Sequence, residues 1–431
     1  MTGRGVGRVW RAPSRLRRGG RVMPQWRSPI DASRGSTLRE KTGARVTASD
    51  TPTSDFPPID PARPLLNRQL RIAQLAPREG TCGYVPTEAR NLHIQFARLG
   101  WKAYLLDWGR EADSESLLRK VLRRPADILE TAGAIDPIAP DVVLVHTGLD
   151  WRSLLRDLAF RLVTLRRSWK LVLMPHGGHT EWTVKGTRHV IFRWMARWML
   201  NRCDGVLVLS REERDDLVGE LSGVPVWVVD NPFVPMDGAA SSRSDRVLSD
   251  PAAVLFVGRL VREKGVFDLV EALALDADQR SFRLVIAGDG SDMNDLTRLI
   301  DERGVADRVD LLGWTTGERL SDAYSAADVF AFPTWFAEGF PTVVSEAMSH
   351  SLPVVCTAKR GLSDKFVDGV NAVFVPPKDP AAIHAAILRV VSDRELAAGM
   401  VAANMGFVSA FAPESVVGAY DDALRQVVLG S

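Results

Sequence analysis

Residues 253–265 read Ala253-Val254-Leu255-Phe256-Val257-Gly258-Arg259-Leu260-Val261-Arg262-Glu263-Lys264-Gly265. An apolar, β-branched run ends on a glycine, cations follow, and a helical stretch comes next. A buried strand that feeds a helix through a glycine-bearing loop is the repeating unit of a parallel α/β sheet. Gly258 permits close backbone approach, and Arg259 and Lys264 place two fixed cations before a helix N-terminus. The segment reads as an anion site that suits a diphosphate, because arginine offers a planar fork and lysine a point charge. Taken alone, it fits two surface cations on a turn as well.

The alternation continues outward in both directions. Downstream, strands are expected at 253–258, 282–287, 309–312, 328–333, 353–357 and 372–375, with helices between them and more helix from 380 to 429. Upstream, strands are expected at 71–76, 102–107, 141–146, 170–175, 205–210 and 225–229. Between the two series, residues 231–251 are rich in Pro, Gly, Ser and Asp and keep no period, as a linker would. The division expected is a basic tail (1–65), a first α/β domain (66–235), a second (236–415) and a final helix (416–431) placed to cross back to the first. Two doubly wound sheets invite a ligand cleft at the carboxyl ends of their strands.

Further residues join the anion site at that edge. A second strand ends in Gly288-Asp289-Gly290, a common turn sequence and weak by itself. Trp314 follows the third strand, where it could select a base. The fourth leads through Phe332-Pro333-Thr334 into Glu338, Gly339, Phe340, Pro341, Thr342 and then Glu346. Pro341 suits a helix start, so Glu338 falls in the loop before the helix and Glu346 about a turn and a half inside it. Free N–H groups near Pro341 can cradle phosphate.

The pair Glu338 and Glu346 within EGFPTVVSEAMSHSLPVV, together with FVGRLVREKG and AGDG in this order, resembles the retaining glycosyltransferases of family 4. The resemblance covers about residues 70–429. It implies the GT-B fold, two Rossmann-like, doubly wound parallel-sheet domains facing a central cleft. It implies that Arg259 and Lys264 bind a donor diphosphate, with Gly258 beside them and Gly339, Phe340, Pro341 and Thr342 meeting sugar and phosphate. It further implies that Glu338 contacts the transferred sugar and Glu346 holds the nucleotide ribose.

The first domain matches more loosely. Gly80 and Gly83 occupy the place of a glycine-rich loop under donor and acceptor, without the adjacent glycines of many relatives. His146 and His176 each end a strand at the cleft, and His176 is the better candidate beside the reacting sugar carbon. Where relatives often read Asn-Gly after the last strand of the first domain, this chain has Asp230-Asn231-Pro232-Phe233, which leaves the role of Asn231 open. Ser210 reads as a helix N-cap in preference to a cleft hydroxyl.

The activity that the resemblance implies is transfer of a sugar from a nucleotide-diphosphate-sugar donor to a hydroxyl acceptor, either sugar, lipid-linked or small, as in polysaccharide, glycolipid or other glycoconjugate synthesis. No Asp-x-Asp motif is recognised, so no metal or other cofactor is expected. The alternatives are an inactive nucleotide-sugar binder and an epimerase or phosphorylase of similar fold.

Composition fits that picture. The 431 residues are 45% hydrophobic and 25% charged, as in an ordinary globular protein. The net charge of +2 conceals +10 over residues 1–45 and −8 over the rest. Up to residue 64 the chain is Arg-, Ser-, Gly- and Pro-rich and reads as disordered. A solvated tail, an overlong start with Met23 as initiator, a transit peptide and a polybasic arm all remain open there. No reader module supports specific nucleic-acid binding. Three scattered cysteines fit a reducing compartment, and no run of 18 apolar residues or signal core is present, so a cytoplasmic place is expected. Two stretches, 151–170 and 185–202, mix Trp and Leu with arginines. They fit peripheral contact with the inner face of an anionic membrane, and they fit ordinary amphipathic helices too.

Overall fold

A computed structural model describes residues 46–48, 69–78, 85–109, 117–176, 187–236, 248–276, 279–336 and 339–430. The first sheet comprises β1 (Val46–Ala48), β2 (Arg71–Ala76), β3 (Lys102–Asp107), β4 (Val142–Thr147), β5 (Lys170–Pro175), β6 (Gly205–Val208) and β7 (Val226–Val228), in the order β1-β3-β2-β4-β5-β6-β7. The second comprises β8 (Ala252–Val257), β9 (Phe282–Ala287), β10 (Val309–Gly313), β11 (Val329–Phe332), β12 (Val354–Cys356) and β13 (Val373–Phe374), in the order β10-β9-β8-β11-β12-β13. Every pairing between neighbours is parallel except β1 with β3. Helices cover both faces, so β4 and β8 are buried along their whole length and carry continuous apolar runs.

The strands expected from sequence are present to within two residues at each end. One strand was not expected: Val46–Ala48 lies inside the stretch read as structureless. It pairs antiparallel with β3 through Val46 opposite Leu106 and Ala48 opposite Tyr104. Three residues are too few to show alternation, and such a strand is specified by the open sheet edge it covers. Within the expected linker, residues 237–247 lie outside the described residues.

In each sheet the chain runs one way from the first parallel strand and then returns to its other side, which places a switch point between β2 and β4 and another between β8 and β11. Crevices at the carboxyl ends of strands open at such points. The last helix, Pro413–Leu429, packs on the first sheet. Val416, Val417, Tyr420, Ala423, Leu424 and Val427 share a core with Leu70, Leu92, Phe96 and Val142. Trp101 donates its indole N–H to Asp421 at 2.6 Å, and Tyr420 donates its hydroxyl to the Asp230 carbonyl at 3.1 Å.

A buried ion pair ties the two α/β domains on one side. Arg360 precedes the short helix Gly361–Lys365 and is 3% exposed. Its Nη1 lies 3.2 Å from the fully buried Glu213 carboxylate, its Nε 3.6 Å from Glu212 and its Nη2 3.8 Å from Asp216. Glu213 sits in the first turn of the helix Arg211–Val218. Ser210 caps that helix by accepting from the Glu213 N–H at 3.1 Å, and Glu213 accepts from the Leu209 N–H at 2.9 Å. Burial raises the Glu213 carboxyl pKa, and the Leu209 N–H and Arg360 pull it back. Arg360→Ala leaves that carboxylate buried without its cation and is expected to cost roughly 3–5 kcal/mol. Urea unfolding would measure it, with partial recovery expected on adding Glu213→Gln; a loss below about 1 kcal/mol would contradict the assignment.

Candidate active site

The second domain builds a cationic edge from two loops. The loop after β8 carries Arg259 and Lys264, and the loop after β11 folds over it. Trp335 and Phe336 donate their backbone N–H groups to the Glu263 carbonyl, each at 2.9 Å. Phe336 also donates to the Thr334 hydroxyl at 3.2 Å. These bonds hold the Phe336 ring where both cations meet it, with Lys264 Nζ 5.3 Å and Arg259 Cζ 5.8 Å from its centroid. The aromatic face keeps two like charges converging on one place.

The helix Thr342–Ser349 points its start at the same edge. Pro341 is its N-cap and supplies no side-chain acceptor, so the first N–H groups are left for an anion in the cleft. Glu346, half-buried within this helix, accepts a 2.8 Å hydrogen bond from the Tyr324 hydroxyl on Oε2. Its Oε1 has no partner among the described residues. Burial raises the Glu346 pKa, and the Tyr324 bond offsets part of that.

The glycines of Gly288-Asp289-Gly290 serve packing in this structure. Gly258 donates to the Ala287 carbonyl at 3.0 Å, and Leu260 donates to the Asp289 carbonyl at 3.0 Å, so the two loops lie backbone to backbone. A Cβ on Gly288 or Gly290 would run into the carbonyl oxygen of Gly258 or Leu260. Gly339 likewise lies against Leu209 of the first domain, where a Cβ would collide with the leucine side chain. Phe340 is buried in a cluster with Phe366, Phe407 and Phe411 and reaches the cleft through its backbone alone. Trp314 is exposed beside the end of β10, on the expected edge.

The first domain contributes a polar group that is almost entirely buried. His146 is the next-to-last residue of β4 and His176 follows β5; His146 Nδ1 and His176 Nε2 are 2.9 Å apart. On its other side, His176 Nδ1 lies 3.3 Å from Glu88 Oε2. Asn231, 9% exposed, points its amide at the same carboxylate: with the nitrogen turned that way, it donates to the two Glu88 oxygens at 3.1 and 3.2 Å. His176 was expected beside the sugar, yet both of its ring nitrogens are engaged within the protein. The free nitrogen of the pair belongs to His146, whose Nε2 is buried and without a partner among the described residues.

Glu338, Gly80 and Gly83 lie outside the described residues. The one Asp-x-Asp spacing in the chain, Asp276-Ala277-Asp278, follows the helix Val266–Leu275. Asp276 is buried there against Arg308 at 3.1 Å, a structural pair. Glu88, Tyr324 and Arg360 were not anticipated as site or clamp residues. A signal for Glu88 existed: it shares the stripe Glu88, Leu92, Phe96 on the helix Val85–Arg98, a carboxylate at a core position.

Two family models match, "Glycosyl transferases group 1" over residues 240–405 and "Glycosyltransferase Family 4" over residues 89–234. The chain belongs to glycosyltransferase family 4. Similar curated proteins include the alpha-D-kanosaminyltransferase of Streptomyces kanamyceticus, 31% identical over 48% of this chain and 56% of that protein. The D-inositol 3-phosphate glycosyltransferase of Xylanimonas cellulosilytica is 34% identical over 47% and 53%. The chain thus spans about half the length of such relatives. Among solved structures, sucrose-phosphate synthase from Thermosynechococcus elongatus superposes with a TM-score of 0.68 at 20% identity, over 84% of this chain and all of that one. Anabaena HepE in complex with UDP gives 0.64 at 17% identity, over 82% and 99%. Both support the GT-B fold of this family member.

The buried histidines make stability depend on pH. Burial, helped by Arg90, lowers His93 to about 4; burial lowers His176 to about 3; burial and then His176 hold His146 well below its ordinary value. In the unfolded chain all three protonate near pH 6.5. Their contribution is therefore complete above that pH and lost as pH falls toward the folded values. Glu88, raised by burial, takes up a proton in the folded state first and offsets one of the three. A net loss of stability of roughly 1–3 kcal/mol per pH unit is expected as pH falls from about 6 to 5. A melting temperature that stays level from pH 7 to 5 would refute it.

Proposed function

We propose that this chain transfers a sugar, with retention of anomeric configuration, from a nucleotide-diphosphate-sugar donor to a hydroxyl acceptor in glycoconjugate synthesis. The observation that carries this reading is the convergence of Arg259, Lys264 and an uncapped helix start at the β8/β11 switch point, with Glu346 in the same helix. That edge meets the first domain at Leu209 and Asn231, whose amide lies 3.4 Å from the Phe340 carbonyl. HepE, which shares the fold, has been solved with UDP, UDP-glucose, and UDP with glucose.

The difficult event is departure of the nucleoside diphosphate while positive charge grows on the anomeric carbon. Two cations and helix N–H groups, fixed in place beforehand, stabilise the leaving charge without a metal. The acceptor oxygen bonds to the anomeric carbon on the face the phosphate leaves, the carbon–phosphate oxygen bond breaks, and the acceptor proton passes to the departing oxygen. Glu338 positions the sugar and Glu346 the ribose.

Glu346→Ala is expected to weaken nucleotide binding about 10- to 100-fold, the loss of hydrogen bonds to a charged group. Glu338→Ala is expected to abolish transfer while leaving donor binding within a few-fold. Calorimetry with nucleoside diphosphates, alongside nucleoside-diphosphate release from nucleotide sugars with an acceptor panel, measures both. Unchanged turnover in both variants would overturn the assignment, and donor binding without release on any acceptor would favour the inactive binder.

The acceptor side carries a membrane reading, with the chain seated at the cytoplasmic face. On the helix Thr187–Leu200, Val190, Ile191 and Trp194 are exposed, Trp194 by 67%. Leu155, Leu162 and Leu165 are exposed on or beside the helix Trp151–Thr164. Arg202 stacks on Trp198 at 3.9 Å, and Arg193 and Arg197 reach Glu220. No single described helix is long and apolar enough to cross a membrane. Flotation with vesicles containing anionic lipid should carry the protein upward, and Trp194→Glu should reduce it at least several-fold. A protein that stays wholly in the soluble fraction would end this reading.

A further inference from the structure

The group formed by Glu88, His176 and His146 has a directionality that the transfer reaction above does not use. The imidazole planes differ by 13° and the ring centroids are 5.1 Å apart, with facing nitrogens at 2.9 Å. Two rings at that spacing and tilt lie nearly coplanar and edge to edge, with one N–H aimed along the line to the other nitrogen. Lone pairs that aim at each other do not converge on a common metal position, although the three side chains are close enough to suggest one. Each imidazole is therefore donor at one nitrogen and acceptor at the other, and the end groups decide the direction.

We infer that Glu88, His176 and His146 form a proton relay ending at His146 Nε2, in which Glu88 is the positioning residue that sets both imidazole tautomers. With Glu88 ionised, His176 donates from Nδ1 to the carboxylate, His146 donates from Nδ1 to His176 Nε2, and His146 Nε2 is a bare acceptor. A proton arriving from solvent bonds to His146 Nε2. The His146 Nδ1–H bond breaks as its proton moves to His176 Nε2, and the His176 Nδ1–H bond breaks as its proton moves to Glu88. One proton is gained, the carboxylate becomes neutral, both rings stay neutral, and His146 Nε2 has turned from acceptor to donor.

The surroundings favour this assignment of the charge. Glu88 is 1% exposed, and burial disfavours its ionised form just as it disfavours imidazolium at either ring. From the segment after β7, Asn231 faces the carboxylate with an uncharged amide. His176 is the one ionisable group within ion-pair distance of Glu88 among the described residues. On the helix of Glu88, Arg90 acts on His93. A hydroxyl reaching the cleft end of β4 would meet an acceptor above the Glu88 transition and a donor below it. That use rests on the transfer reading; the tautomer switch does not.

Long-range ¹⁵N–¹H spectra of the full chain labelled at histidine test it without donor or acceptor. The two signals coupled across the N–H···N bond identify the pair among seven histidines. Between pH 9 and 5 both are expected to pass together from the Nδ1–H to the Nε2–H form, with neither becoming imidazolium. Glu88→Gln should abolish the joint switch while circular dichroism stays unchanged. Tautomers constant across this range, or either histidine of the pair titrating to imidazolium near pH 6.5, would overturn the relay. Loss of transfer activity in an independent assay would bear on the function and leave this result standing.

Discussion

The contact between Arg360 and Glu213 sets the terms for the cleft. Each residue is buried in the other's company: the guanidinium is permanently charged, and the carboxylate sits in the first turn of a helix while held by the Leu209 N–H. Such a pair adds little net stability against an apolar substitute, but it penalises every arrangement that separates the partners. It thereby fixes where the β6 end of the first sheet meets the loop after β12. Lys365 with Asp230 and the Arg211 N–H donating to Asp364 at 2.5 Å lie on the same seam. Gly339 then has to be a glycine, because Leu209 is held where a side chain would need to be.

Fixing that seam brings two unlike chemical surfaces together. The second domain presents cations that an aromatic ring and backbone hydrogen bonds hold in place, so little reorganisation would be needed for them to meet the proposed diphosphate. Glu346 works from inside the helix that supplies the N–H groups, and Tyr324 fixes its carboxylate from a neighbouring helix. In the proposed reaction, one short helix therefore serves the anion at its start and a sugar hydroxyl on its flank.

The fold and the elements that carry Arg259, Lys264 and Glu346 were legible because each rests on local rules. Strand runs buried on both faces are apolar from end to end, and a glycine followed by cations before a helix assembles an anion site from residues adjacent in the chain. The first domain was harder to read, since its group is assembled from a helix, two strands and the segment after β7. Glu88, His146, His176 and Asn231 are scattered over more than 140 residues of sequence, and nothing local marks them as partners. His176 looked like the free histidine because it follows a strand at the cleft; only the contact with Glu88 shows that both of its nitrogens are committed. The second glycine loop carries a further constraint that the sequence did not show, since a loop at the ligand edge can owe its glycines to the loop beside it.

The two halves also differ in charge, and for one reason. In the proposed transfer, a sugar losing its diphosphate becomes positive at the anomeric carbon while the leaving group becomes negative. Cations close to the phosphates lower the barrier, whereas an imidazolium close to the carbon would raise it. Burial lowers the pKa of both His146 and His176, the latter to about 3, and so disfavours positive charge on either ring. Arg259 and Lys264 carry positive charge on the second domain. The same separation explains why a carboxylate was buried beside the histidines at a cost to stability: Glu88 absorbs an arriving proton so that the rings need not.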